Sequence, residues 1–309
     1  MDNSTKGKWV FIINPTAGNG FAGSYAATVK EMIQKYDVPA EVVYTERKGH
    51  AQELSETYAK QGYAYIIAVG GDGTLNEIAR PLIGNIDVTL GIIPAGTGND
   101  FIQILGFPNR FSEEHWDIFF AKNEILMDVG SCNGTIFLNG MGLGFDAQVA
   151  SENYVDGENV KKGGKDKYIW HILKNLLFFK EKKMVIRTDN DTSESNVFMN
   201  TISIGRRFAG DFFLTPKAIA NDGLFDVCRI NKLSIPERLK VLLQAPKGEH
   251  IHHKKVDYFQ TEKIDIEFPE KVHYHVDGEM FFHQNFEVKL LPQSIKTIYN
   301  PKGNHFFNI

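Results

Sequence analysis

Val69-Gly70-Gly71-Asp72-Gly73-Thr74-Leu75-Asn76-Glu77 follows directly on the apolar stretch 64–68. A strand running into glycines and then into a helix is the layout of a phosphate-binding loop. Glycines let backbone N–H groups approach an anion closely, and the following helix turns its positive end toward the same place. Asp72 lies inside the turn, where two carboxylate oxygens can reach a phosphate-bound cation or an ordered water. Asp-Gly occurs four times in the chain, so this run alone reads equally well as an ordinary turn leaving a strand.

Two further runs share the pattern. Ile12-Ile13-Asn14-Pro15-Thr16-Ala17-Gly18-Asn19-Gly20 follows the apolar stretch 9–13, and Asn-Pro ends a strand because proline cannot donate to a ladder and restrains its predecessor. Leu90-Gly91-Ile92-Ile93-Pro94-Ala95-Gly96-Thr97-Gly98-Asn99-Asp100-Phe101 again leads from apolar residues into a loop of small ones. Three strand-to-loop transitions of this kind bring their loops to the carboxyl edge of a parallel sheet, where open α/β sheets bind ligands.

The surrounding periodicity agrees. Strands are predicted over 8–13, 40–44, 65–69 and 89–93, and helices over 24–35, 49–61 and 75–82. This alternation predicts a Rossmann-like α/β domain with a parallel sheet over residues 1–127. From Asp128 the texture changes to short β-type runs, at 135–139, 183–188, 196–204, 224–230, 263–268, 271–276 and 286–290, interrupted by helical signals at 165–179 and 235–243. Asn133-Gly134 and Asp277-Gly278 suit tight hairpins. Residues 128–295 are therefore expected to form an antiparallel β-sandwich domain carrying helices.

At 309 residues, 42% hydrophobic and 23% charged, the composition is that of a globular protein with room for two domains. The net charge of −4 gives no bulk attraction to nucleic acid or anionic lipid, so membrane contact would need a local patch. Cys132 and Cys228 have no metal-like spacing and read as reduced thiols of a cytoplasmic protein. The short polar N-terminus lacks the core of a signal peptide, and no apolar stretch of about 18 residues is present.

The three loops resemble those of the diacylglycerol kinase catalytic domain family, bacterial soluble lipid kinase type, related to NAD kinases and sphingosine kinases. The resemblance continues through Asp128-Val129-Gly130, Phe137-Leu138-Asn139-Gly140-Met141-Gly142-Leu143-Gly144-Phe145-Asp146, Ala220-Asn221-Asp222-Gly223-Leu224-Phe225-Asp226-Val227 and Val276-Asp277-Gly278-Glu279, covering residues 8–295. It implies an NAD kinase/diacylglycerol kinase-like fold, with the tail 296–309 packing back on the first domain. The implied activity is an Mg²⁺-dependent lipid kinase that transfers the ATP γ-phosphate to a lipid hydroxyl, first of all diacylglycerol to phosphatidic acid. Sphingoid base, ceramide and phosphatidylglycerol stay open as acceptors. The alternatives are an NAD kinase-like enzyme with a soluble substrate, or a non-catalytic nucleotide or lipid sensor. The implied setting is cytoplasmic and peripheral at the inner membrane surface, with transient membrane-surface contact, no nucleic acid, and a homodimer compatible with the family.

By the same resemblance ATP is held by Asn14, Pro15, Thr16, Ala17 and Gly18, by Thr45, by Gly70, Gly71, Asp72, Gly73, Thr74, Leu75, Asn76 and Glu77, and by Thr97. Asp72, Asp100 and Asp222 are the candidates around Mg²⁺, with Asp222 supplied by the second domain. A structural Mg²⁺ would use Asp222 and the Leu224 carbonyl, although its third ligand position falls near Ile219, which offers only a carbonyl. Glu279 is the expected catalytic base, because a two-residue turn fixes the residue that follows it; Asp72 is the second catalytic residue. His273 and His275 read as a strand face without metal. The cluster His250, His252, His253, Lys254 and Lys255 reads as a solvated loop, and Arg206 and Arg207 as surface residues within reach of phosphate.

Residues 161–183 hold eight lysines against Asp166 and Glu181, a local +6, interleaved with Tyr168, Ile169, Trp170, Ile172, Leu173, Leu176, Leu177, Phe178 and Phe179. A basic helix with such residues can lie in a membrane interface, and this one is expected to help dock the protein on anionic bilayers.

Overall fold

The computed structural model describes residues 7–152, 154–155, 158–161, 165–189, 191–208 and 212–309. Within the basic segment, Lys162 and the side chains of Lys161, Lys165, Lys167, Tyr168 and Ile169 lie outside the described residues. The chain divides into two units: Met1–Val129 with Ala220–Asp222 and Pro292–Ile309, and Gly130–Ile219 with Gly223–Leu291. Asp222, read from the sequence as part of the second domain, thus belongs to the first unit.

The first unit alternates β1 (Trp9–Ile13), α1 (Phe21–Lys35), β2 (Ala40–Tyr44), α2 (His50–Lys60), β3 (Tyr65–Gly70), α3 (Asp72–Ala79), β4 (Thr89–Pro94) and α4 (Glu113–Phe120). The strands stand in the order β2-β1-β3-β4, each pair parallel. Lys296 and Thr297 then add a further parallel pairing against Thr89 and Leu90. Every residue of β1 and β4 is buried, which explains the apolar runs at 9–13 and 90–94: a parallel strand covered on both faces has no polar side. Helix α3 starts at Asp72, three residues before the predicted start, because the first helical turn absorbs Asp72-Gly73-Thr74. Helix α4 was not anticipated. It opens with a capping box in which His115 takes the place usual for Glu or Gln, and it buries Trp116, Ile118 and Phe119.

The second unit is β-rich and antiparallel. It comprises the last three residues of β5 (Glu124–Cys132), β6 (Thr135–Phe137), β7 (Gly140–Gly144), α5 (Phe145–Ser151), β8 (Tyr154–Val155), β9 (Glu158–Lys161) and α6 (Lys165–Phe178). There follow β10 (Lys182–Arg187), β11 (Thr192–Ser203), β12 (Phe225–Asn231), α7 (Ile235–Gln244), β13 (Val256–Thr261), β14 (Lys263–Val276) and the first part of β15 (Glu279–Ile298). Strands β10 and β7 share the place between β11 and β14, each pairing with both. β13, β12 and β11 lie in that order on one side, and β14 pairs with β15 on the other.

Two departures from the predicted strands have local causes. β7 alternates glycine with Met141 and Leu143, and glycine is a poor strand former that hides a strand from sequence reading. Its glycines are needed: a Cβ at Gly142 would stand 1.9 Å from an Asp146 carboxylate oxygen and 2.3 Å from His275 Nε2. The two strands predicted at 263–268 and 271–276 are one, β14, with a register shift between Glu267 and Val272 that accommodates Pro269.

His250 corrects another expectation. It is fully buried, not solvated, and its Nε2 lies 3.3 Å from the Leu214 carbonyl oxygen and 3.5 Å from Cys228 Sγ. Burial pushes its pKa down from 6.5 to about 4, so the folded protein keeps it neutral where the unfolded chain already binds a proton. Stability is therefore expected to fall as pH drops from about 6.5 to about 4, by about 3 kcal/mol from this group. In urea melts across that range, His250→Gln should show a shallower dependence of unfolding free energy on pH than wild type. Equal slopes would remove His250 from the account.

Candidate functional site

Three loops leave the carboxyl ends of β1, β3 and β4 within the first unit, and side-chain hydrogen bonds and close backbone approaches join them. Asn14 Nδ2 donates to Thr74 Oγ1 at 3.0 Å, tying the first loop to the second. The Asn14 Oδ1 atom accepts the Thr16 backbone N–H and hydroxyl, at 3.2 and 2.9 Å, and so shapes its own loop. Gly18, at φ +61, lies against the third loop, where a Cβ would sit 2.3 Å from the Ala95 carbonyl oxygen. Gly71 and Gly96 face one another so closely that a Cβ on Gly96 would fall 2.3 Å from the Gly71 Cα. The third loop is held from within by Asn99, which is buried at φ +56 and exchanges two hydrogen bonds with the Gly96 backbone at 2.9 and 3.0 Å.

Asp72 binds the same assembly. Its two carboxylate oxygens accept the backbone N–H groups of Asp100 and Phe101, each at 3.2 Å. The site residues Asn14 to Gly18, Gly70 to Thr74 and Thr97 therefore meet at one sheet edge, with Thr16, Gly73 and Thr97 exposed there. Thr45 follows β2, its N–H bonded to the Ile13 carbonyl at 2.9 Å, beside the first loop. Glu77 is occupied differently: both carboxylate oxygens accept the Gly49 N–H at 3.1 Å, at the start of α2. Leu75 and Asn76 are buried within α3.

For a cation, Asp72 and Asp100 are neighbours, whereas Asp222 and Leu224 fall in different units. Among the described residues no group of three or more His, Cys, Asp or Glu side chains is arranged to hold a metal. The donors present suit Mg²⁺ bound through one or two carboxylates and substrate phosphates, the usual mode for that ion, more than an all-protein cage.

In the second unit Asp277 and Gly278, at φ +44 and +83, form the turn that joins Val276 to its cross-strand partner Glu279. Both left-handed positions match a type I′ hairpin. The Asp277 carboxylate is not free for metal: it accepts the N–H groups of Leu138, Asn139 and Gly140 at 2.7, 3.1 and 2.8 Å, while its own N–H bonds the Gly140 carbonyl at 2.9 Å. Asn139 extends the clamp through its side-chain N–H to the Arg207 carbonyl at 2.9 Å. Glu279 thus begins a strand whose turn is locked to a second loop. The sequence signalled the hairpin but not the anchor, because the loop lies 137 residues or more away. His275 and Asp146, also unanticipated as partners, lie 3.1 Å apart, and His273 packs on the Phe282 ring.

Residues 8–132 match the family described as diacylglycerol kinase catalytic domain, and residues 140–299 match the YegS C-terminal NAD kinase beta sandwich-like domain. The chain is 27% identical over 276 residues to a diacylglycerol kinase of Bacillus subtilis (strain 168), covering 87% of this chain and 88% of the relative. It is 30% identical over 275 residues to the probable lipid kinase YegS of Escherichia fergusonii, covering 87% and 89%. A crystal structure of a diacylglycerol kinase from Bacillus anthracis str. Sterne shares the fold at TM-score 0.74 and 22% identity, over 97% of this chain and 99% of that one.

Two substitutions test the geometry by stability alone. Gly96→Ala forces a methyl into the Gly71 backbone and should cost about 1–3 kcal/mol in thermal or urea unfolding. Asp277→Ala leaves three N–H groups at the buried residues Leu138, Asn139 and Gly140 without their acceptor and should cost about 2–4 kcal/mol, with faster amide exchange at those positions. A neutral outcome for either would mean that the loop it joins is held by other contacts.

Proposed function

The chain belongs to the diacylglycerol kinase catalytic domain family and is a lipid kinase, and we propose that it transfers the γ-phosphoryl group of ATP to the hydroxyl of diacylglycerol, giving phosphatidic acid. The observation that carries this reading is the joining of three glycine-rich loops at one sheet edge around the fixed carboxylate of Asp72. Such an edge offers backbone N–H groups and the start of α3 to the nucleotide phosphates. The first unit then serves as a Rossmann-like nucleotide domain and the second as a β-sandwich domain for the lipid.

In this reading Asn14 to Gly18, Gly70 to Thr74 and Thr97 cradle ATP, with Thr45 beside them. Asp72 and Asp100 would hold Mg²⁺, which neutralises charge on the phosphates when bound. Glu279 removes the proton from the lipid hydroxyl. That oxygen forms its bond to the γ-phosphorus as the bond to the β,γ-bridging oxygen breaks, so ADP leaves and the proton rests on the Glu279 carboxyl. The Asp277 clamp keeps the Glu279 backbone fixed, as general-base catalysis requires.

The deciding experiment is transfer of radiolabelled γ-phosphate to diacylglycerol, sphingosine, ceramide and phosphatidylglycerol in mixed micelles with Mg²⁺, with NAD as the soluble control. Label should enter diacylglycerol and fall by about 10²–10⁴-fold in Glu279→Gln, with ATP binding retained. Label in another lipid would change the acceptor. Label in NAD alone would favour the soluble-substrate enzyme, and ATP binding without transfer would favour a sensor.

A further inference from the structure

The second unit carries two neighbouring helices that each turn an apolar stripe outward. On α7 the stripe is Ile235, Leu239 and Leu243, at intervals of four, all exposed, with Leu243 at 70%. On α6 it is Trp170, Leu173 and Leu177, with Phe178 beside them; Trp170 is 64% and Phe178 74% exposed. The inner faces account for the core: Leu176 and Val241 are buried in one cluster with Phe145 and Phe198, and Ile172 packs against it. The outer stripes are therefore surplus to folding.

Arg238 fixes the two helices together. It is buried on α7, and its guanidinium donates to the Leu176 and Phe179 carbonyls at 2.8 and 2.9 Å and to Glu181 Oε1 at 2.6 Å. The helices that carry the two stripes are thus held together. Large exposed apolar side chains scattered singly need no explanation, but adjacent stripes on two locked helices do.

We propose that this α6–α7 surface docks on an anionic lipid bilayer, which deepens the lipid-kinase reading by assigning the face through which the enzyme reaches its substrate. Charge selects that occupant. Lys180 and Lys240 are exposed at the surface, whereas Lys174, Lys182 and Lys183 of the neighbouring segment are paired with Glu152, Glu270 and Glu194. The acid on α7, Glu237, is neutralised by Lys255 and the Ser234 cap. Two copies meeting through this face would set lysine against lysine, whereas anionic headgroups meet both the lysines and the apolar stripe. Seated there, Trp170, Leu239 and Leu243 would enter the headgroup–acyl boundary while the lysines stay at the phosphates.

Tryptophan fluorescence gives a direct readout, because Trp9 and Trp116 are buried and Trp170 is exposed. Vesicles of phosphatidylcholine mixed with phosphatidylglycerol should shift the emission of the full chain to the blue, and Trp170→Phe should abolish the shift. Co-sedimentation with those vesicles should fall at least about tenfold in Leu239→Glu/Leu243→Glu, and should weaken with salt in wild type. The same variant should still phosphorylate a short-chain diacylglycerol dissolved below its micelle concentration, which shows that it folds and catalyses. Unchanged vesicle binding in that variant overturns the proposal. So does conversion of a wild-type dimer to monomer with vesicle binding intact, which would make this face an interface between copies. Vesicle binding that follows the prediction in a chain with no phosphotransfer would uphold the surface and sink the kinase reading instead.

Discussion

Two backbone approaches that leave no room for a side chain govern the loop edge of the first unit. Gly18 rests on the Ala95 carbonyl and Gly96 on the Gly71 Cα, at separations that any Cβ would violate. Because the chain can close to these distances, the loops after β1, β3 and β4 become one surface instead of three independent turns. The tighter the backbones pack, the more their N–H groups are presented in fixed directions, and fixed dipoles hold an anion without reorganising when it binds.

The carboxylates of the two units obey a common rule. Asp72 accepts two backbone N–H groups from another segment, Asp277 three, and Glu77 one through both of its oxygens. A carboxylate that takes backbone N–H bonds is held in place, and it carries order from one loop to the next. Asp72 remains at the exposed edge, available to a ligand as well as to Asp100 and Phe101. Asp277, by contrast, is consumed by three N–H groups, and its consequence is geometric: the residue two positions on, Glu279, starts its strand from an immobilised turn. Removing the anchor and removing the proposed base should therefore have different signatures, one in stability and one in chemistry.

Polar residues inside the second unit follow a related economy. His250 is tolerated in the interior, beside the Leu214 carbonyl and Cys228, as the neutral ring. Asp146 and His275 meet over the space that Gly142 leaves. Arg238 is enclosed, yet its guanidinium reaches two carbonyls and a carboxylate, so no charge is stranded. That last network also explains how two helices keep apolar side chains facing outward without collapsing on them: the guanidinium fixes their relative placement from within.

The sequence by itself determined the buried parallel strands of the first unit, because a strand buried on both faces must be largely apolar, as 9–13, 66–69 and 90–93 are. It also determined the hairpin at Asp277-Gly278 and the three glycine loops, since left-handed turns restrict which residues can occupy them. The candidate site was legible to the extent that it rests on such local demands. Tertiary structure alone decided that β7 exists, that Glu77 turns to Gly49, that His250 is buried, that Asp222 joins the first unit and that Asp277 clamps a loop far back in the chain. Each of these is a contact between segments remote in sequence. Local propensity does not encode such contacts, because their free energy appears only once packing has brought the partners together.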